Sequence, residues 1–279
     1  MCDSDINRRA FTTASIAAGA LMGAAWSAHA QAAGVKETDV SIKTPDGDTD
    51  AALYTPAGKG PFPGVVIFTD ILGLRPAFRD MGKRLASSGY VVLVPNPFYR
   101  TKKGLLVEGP FDFSKDFAKL QPHTAAITPE GTTKDLTAWV AYLDDLPQTS
   151  KKAKLGVTGY CMGGPRVVEA SAIRADRVGG AMSNHGGGVV SNAPTSPHLL
   201  APKIKAKTFF AIAQNDAMRQ PDQADKLKAA YAAAGNPCGA EVYKADHGWC
   251  VSDGAAYNKA EAERAWTQML ATFKEGGVA

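Results

Sequence analysis

Two five-residue runs without a polar side chain restrict what this chain can fold into: Gly64-Val65-Val66-Ile67-Phe68 and Tyr90-Val91-Val92-Leu93-Val94. A strand that alternates apolar and polar residues hides one face. One that is apolar throughout must be covered on both, which implies a parallel sheet between two layers of helices. Lys154 to Thr158, Val178 to Ser183, Thr208 to Ala213 and Glu241 to Lys244 continue the series. Helical stretches separate these strands: Pro76 to Ser88, Thr132 to Leu146, Gly163 to Arg174, Pro221 to Ala234 and Ala255 to Phe273. Strands alternating with helices of this length predict βαβ crossovers, hence an open, mostly parallel twisted sheet with helices on both faces. Ahead of it, Thr38 to Lys43 and Asp50 to Thr55 alternate around Pro45-Asp46-Gly47-Asp48, the pattern of an antiparallel hairpin. No repeat or linker divides the chain, so the expectation is a single α/β domain over residues 31–279.

The segment from Arg100 to Glu130 interrupts the alternation with Phe111, Phe113, Phe117 and three prolines in weak periodicity. It reads as a stretch without a clear element, either a lid or binding loop or a surface excursion.

The first thirty residues have another character. Arg8-Arg9 precedes an uncharged, alanine-rich stretch that closes on Ala28-His29-Ala30, an A-x-A cleavage pattern. Its apolar part, Ile16 to Trp26, is too short to span a bilayer, so no stable membrane anchor is expected. The paired arginines with Phe11 resemble a twin-arginine signal, which implies the twin-arginine export machinery as a partner and a periplasmic mature protein cut near Ala30. Ordinary Sec export and a retained amphipathic helix are the alternatives. Across the chain, 31 Lys and Arg against 27 Asp and Glu leave a small, scattered surplus that argues against a nucleic-acid partner. Four cysteines among 279 residues exclude a disulfide-stapled mini-scaffold. A Cys238–Cys250 bridge is not expected, because an extended strand between them, at ~3.3 Å per residue, carries the two far beyond bridging distance.

The chemistry concentrates in Gly159-Tyr160-Cys161-Met162-Gly163-Gly164. An apolar strand runs into it and a helix follows, which is the setting of a G-x-S-x-G nucleophile elbow with cysteine in the serine position. Glycines flank the nucleophile because the turn is tight, and the helix start below the sulfur favours a thiolate and a developing oxyanion. A buried structural cysteine is the alternative. Such a nucleophile needs an acid and then a base further along the chain. Asp216 ends the strand Thr208 to Ala213, and His247 follows the strand Glu241 to Lys244, so both leave the sheet at the edge where Cys161 sits. Asp246 competes with Asp216 as the acid; Asp216 could instead cap a helix, and His247 could be a surface or metal histidine. His185 follows another strand to the same edge and reads as a substrate-pocket residue. Tyr160 and Trp249, which adjoin the nucleophile and follow the histidine, are expected to line the pocket with it.

These residues make the chain resemble the dienelactone hydrolase family of α/β-hydrolases, over nearly the whole of residues 31–279. The resemblance implies the α/β-hydrolase fold and a Cys161-Asp216-His247 triad that hydrolyses a small lactone or ester, with no metal or organic cofactor. It implies an oxyanion hole from the backbone amides of Ile71 and Met162. It also places Asp70 where the family keeps a glutamate that holds the resting thiol. Arg100, in Pro95-Asn96-Pro97-Phe98-Tyr99-Arg100, would bind a substrate carboxylate. A second arginine, expected four residues after the histidine, is replaced by Val251. The competing reading is a catalytically silent periplasmic protein that binds an acidic ligand in the same pocket.

Overall fold

The computed structural model describes residues 34–109 and 111–279; the expectations for the leading thirty residues lie outside these. Eight strands form one sheet in the spatial order β1-β2-β4-β3-β5-β6-β7-β8. β1 (Val35–Thr44) and β2 (Gly47–Pro56) are the expected hairpin, and β2 also pairs antiparallel with β4 (Val91–Pro95). From there the sheet is parallel through β3 (Gly64–Phe68), β5 (Leu155–Tyr160), β6 (Val178–Asn184), β7 (Lys207–Ala213) and β8 (Gly239–Tyr243). Every residue of β3, β4, β5 and β6 is buried, which is what the uninterrupted apolar runs demand.

Two separate apolar cores sandwich the sheet. On one face lie α3 (Pro129–Asp145), α4 (Gly164–Ile173) and α6 (Gln223–Ala233), contributing Leu136, Trp139, Val167, Val168 and Tyr231. On the other lie α1 (Pro76–Ser87) and the last helix, α7 (Lys259–Glu275), with Phe78, Leu85, Met269 and Phe273. Local signals set the helix starts: proline in the first turn of α1, α3 and α4, the Thr128 side chain capping α3, and Asn258 capping α7. A short helix, α5 (Gln214–Arg219), follows β7 directly. The three cysteines among the described residues are free; Cys238 packs with the first core and Cys250 with the second.

The segment from 100 to 130 departs from expectation. It contains a 13-residue helix, α2 (Phe113–Ala125), whose first turn is capped by Asp112 accepting from the Ser114 amide. Pro122 sits inside it and only Leu120 is buried, so the apolar periodicity that marks a core-facing helix is missing. Phe113 and Phe117 stay exposed.

Candidate active site

Cys161 stands where β5 ends and a single 3-10 turn, Cys161–Gly163, leads into α4. Its backbone is left-handed, with φ of 52°, while the flanking glycines are not. The glycines serve clearance instead. A Cβ at Gly159 would lie 2.1 Å from the Gly163 carbonyl oxygen, one at Gly163 would lie 2.3 Å from the Phe68 oxygen, and one at Gly164 would lie 2.3 Å from the Gly186 Cα. The strain is thus carried by the cysteine itself, as is common where a reactive group must be aimed.

The end of β7 grips the histidine loop at three points. The Gln214 amide donates to the Ala245 carbonyl, Asn215 Oδ1 accepts from the His247 amide at 2.9 Å, and Asp216 Oδ2 lies 2.5 Å from His247 Nδ1. Asp246, the rival acid, accepts from Gln214 Nε2 instead. Burial of the His247 ring works against its charged form, but the carboxylate of Asp216, accepting from Nδ1, and then the influence of Cys161 outweigh this and push the imidazole up to about 10. The structure therefore pairs the acid and base of the expected triad, Asp216 and His247, while Cys161 stands at the end of a neighbouring strand on the same edge of the sheet. Among the described residues, the Ile71 and Met162 amides donate to no loop carbonyl. Their neighbours are committed, Leu72 N–H to Asp70 Oδ1 and Cys161 N–H to His185 Nδ1.

The remaining site expectations are corrected. Asp70 does not hold the thiol: both of its oxygens receive Arg75, at 2.6 and 2.9 Å, in a partly buried ion pair. Arg75 also grips Asp253 through Nε and Nη2, and so ties the 69–74 loop to the loop that follows the histidine. Arg100 is equally spent. Its guanidinium is bidentate to Asp135, bonded to Asp46 at 2.8 Å and stacked on Tyr99, so it ties two segments of the chain together, and it lines neither of the cavities described below. Tyr160, His185 and Trp249 are 3%, 1% and 0% exposed; Tyr160 lines one of the cavities described below, whereas His185 and Trp249 line neither and belong to the interior. Tyr160 packs edge-on against Phe78, and Trp249 stacks on Tyr243.

Two cavities are lined by residues adjoining Cys161 in the chain. One of about 140 Å³ lies between α1 and α7, with Tyr160, Asn184 and Cys250 in its walls. The other, about 30 Å³, adjoins Met162 between Phe68, Thr69, Thr132, Trp139 and Arg166. The hydroxyls of Thr69 and Thr132 are buried there without a protein partner. Sequence reasoning missed Arg75, Asn215 and this threonine pair. Only Asn215 carried a signal, its place at a strand end beside Asp216. Among the described residues, no group of three or more His, Cys, Asp or Glu is placed to hold a metal ion.

Known proteins resemble this chain in sequence and in fold. The model of the dienelactone hydrolase family matches residues 49–276. A relative named "Putative carboxymethylenebutenolidase" from Methylorubrum extorquens is 27% identical over 246 residues, covering 86% of this chain and 81% of its own. The carboxymethylenebutenolidase of Pseudomonas putida is 30% identical over 126 residues, 45% of this chain and 51% of that one. A crystal structure titled as a "Putative Dienelactone Hydrolase", from Klebsiella pneumoniae, superposes with a TM-score of 0.75 at 22% identity, over 86% of this chain and 99% of that one, a likeness of fold.

Proposed function

The chain belongs to the dienelactone hydrolase family and is a hydrolase of that kind, and from this premise we propose that it opens a small lactone or ester by attack of the Cys161 sulfur. The observation that carries the reading is the Asp216–His247 pair, 2.5 Å apart, on the same edge of the sheet as Cys161, which stands strained at the end of β5 with a left-handed backbone. Attack needs the sulfur as a thiolate, and an imidazole held by a carboxylate on one side is placed to take up the thiol's proton on the other.

In the proposed cycle the thiolate adds to the substrate carbonyl, and the new oxyanion accepts hydrogen bonds from the Ile71 and Met162 amides. Such donors contribute about 3 kcal/mol each in comparable sites. The intermediate collapses, the carbon–oxygen bond of the ester breaks, and His247 gives its proton to the leaving oxygen. The acyl group now rests on Cys161 as a thioester. Neutral His247 takes a proton from water, the hydroxide adds to the thioester carbonyl, and the acid leaves as the thiolate and imidazolium re-form. Asp216 holds Nδ1 throughout, so that the opposite nitrogen faces the reacting atoms.

Cys161→Ala should abolish release of p-nitrophenol from activated esters and ring opening of small lactones, with an unchanged circular dichroism spectrum. Turnover that survives this substitution would overturn the mechanism. Thermal stabilisation by carboxylates in a wild type that cleaves nothing would point to a silent binding protein. We propose also that residues 1–30 direct export and are cut near Ala30. Cell fractionation followed by mass measurement of the mature protein tests this, and an intact amino terminus in the cytosol would refute it.

A further inference from the structure

The imidazole of His185, sealed beneath the nucleophile, has no place in the cycle above, yet every part of it faces that cycle. The residue follows β6 and carries a left-handed backbone, with φ of 40°, the only such residue among the described non-glycines besides Cys161. Its Nδ1 accepts the backbone N–H of Cys161 at 3.1 Å. Two residues on, the Gly187 amide donates to the Cys161 carbonyl at 3.2 Å. Both main-chain polar groups of the strained cysteine are therefore held by the 185–187 loop. At Gly164 and Gly186 the two segments touch so closely that neither has room for a Cβ. The His185 ring also lies 4.9 Å from the His247 ring and 5.0 Å from Trp249, forming the wall against which the histidine rests.

The hydrogen bond fixes the state of this ring. A nitrogen that accepts an N–H has no proton, so the ring is neutral with its hydrogen on Nε2. Nε2 is buried without a hydrogen-bond partner. Complete burial likewise holds the group well below the usual histidine range. A charged ring would set a second donor against the Cys161 amide.

We infer that His185 is a positioning residue for hydrolysis: as a neutral acceptor it holds the Cys161 backbone in the conformation that aims the sulfur, while its ring backs His247. The inference rests on the reading of Cys161 as nucleophile. It assigns the Cys161 amide to His185, leaving Ile71 and Met162 as the oxyanion donors.

The test uses His185→Gly, which tolerates the backbone conformation, removes the acceptor and opens a space for an added ring. One lost neutral hydrogen bond corresponds to roughly a tenfold change. The expected result is a kcat about tenfold lower with KM within about twofold, and a matching fall in the rate at which iodoacetamide alkylates Cys161. Added imidazole should restore kcat, whereas pyrrole, of the same size but without an acceptor nitrogen, should not; imidazole's own ester cleavage is subtracted using the Cys161→Ala protein. Wild-type kcat and alkylation rate in His185→Gly, or equal rescue by pyrrole, would overturn the inference. Should the glycine variant fail to fold, His185→Asn carries the test, because Asn accepts left-handed angles and offers Oδ1 to the same amide. It should keep kcat within about threefold, and a folded Asn variant with a tenfold loss would count against the acceptor role. Activity surviving in Cys161→Ala would sink the reading of the nucleophile instead, a result the His185 variants cannot produce.

Discussion

At the scale of single residues, the charged imidazole of His247 is the pivot, and its energetics predict a pH dependence. An imidazole raised from 6.5 to about 10 binds its proton more tightly in the folded chain than in the unfolded one. The stabilisation is complete below the ordinary value of 6.5 and is lost as pH climbs toward about 10. Thermal melts of the wild type should therefore decline over that window. Asp216→Asn, which removes the strongest support for the charge, should flatten the decline and lower kcat by at least ~10²-fold. A decline of wild-type steepness in that variant would contradict the assignment. Residues at this scale were unevenly legible in the sequence. The pairing of Asp216 with His247 and the strained turn at Cys161 could be read because two strand ends and a glycine-flanked cysteine fix where the chain must turn. His185 and Trp249 stand in the interior rather than in a cavity wall, because leaving a strand at the right edge says nothing about which way a side chain points. Their rings pack on each other, 5.0 Å apart.

At the scale of elements, two arginines fasten parts of the chain that the sequence keeps far apart. Arg75 joins the turn after β3 to the loop beyond the histidine through Asp70 and Asp253. An ammonium cannot span both carboxylates as a guanidinium fork does, so Arg75→Lys should loosen the spacing between the two loops. Misplacement on that scale costs roughly ten- to a hundredfold in kcat, readable in steady-state assays of folded protein. Arg100 joins the β1–β2 turn to α3 through Asp46 and Asp135, and Asp135 is nearly fully buried. Arg100→Met should thus cost about 3 kcal/mol in urea denaturation while leaving KM for neutral esters unchanged. A raised KM with unchanged stability would return Arg100 to a substrate-binding role. Neither clamp is visible in sequence, since ion pairs between distant segments leave no local pattern. The helix α2 was hidden for the opposite reason: its cap at Asp112 is a local signal, but Pro122 and exposed phenylalanines blur the periodicity that reveals a helix.

Over the whole molecule, the architecture was the most legible feature, because burial on two faces writes itself into β3 and β4 as unbroken apolar runs. The hidden part was how the last helix closes the second core. Phe273 of α7 is fully buried, and a Cβ at Gly156 or Gly180, on neighbouring strands, would press into its ring. Phe273→Ala should destabilise the fold by about 3–5 kcal/mol in chemical denaturation. A loss below 1 kcal/mol would mean that the sheet tolerates a hole at that seam.

The clearances around the elbow bear on which changes this scaffold can survive. A single methyl at 159 would collide with the Gly163 carbonyl, one at 163 with the Phe68 carbonyl and one at 164 with the Gly186 Cα. The obstacle at each position is main chain, which no rotamer change can move aside, so a substitution at any of the three must displace the backbone of the turn itself.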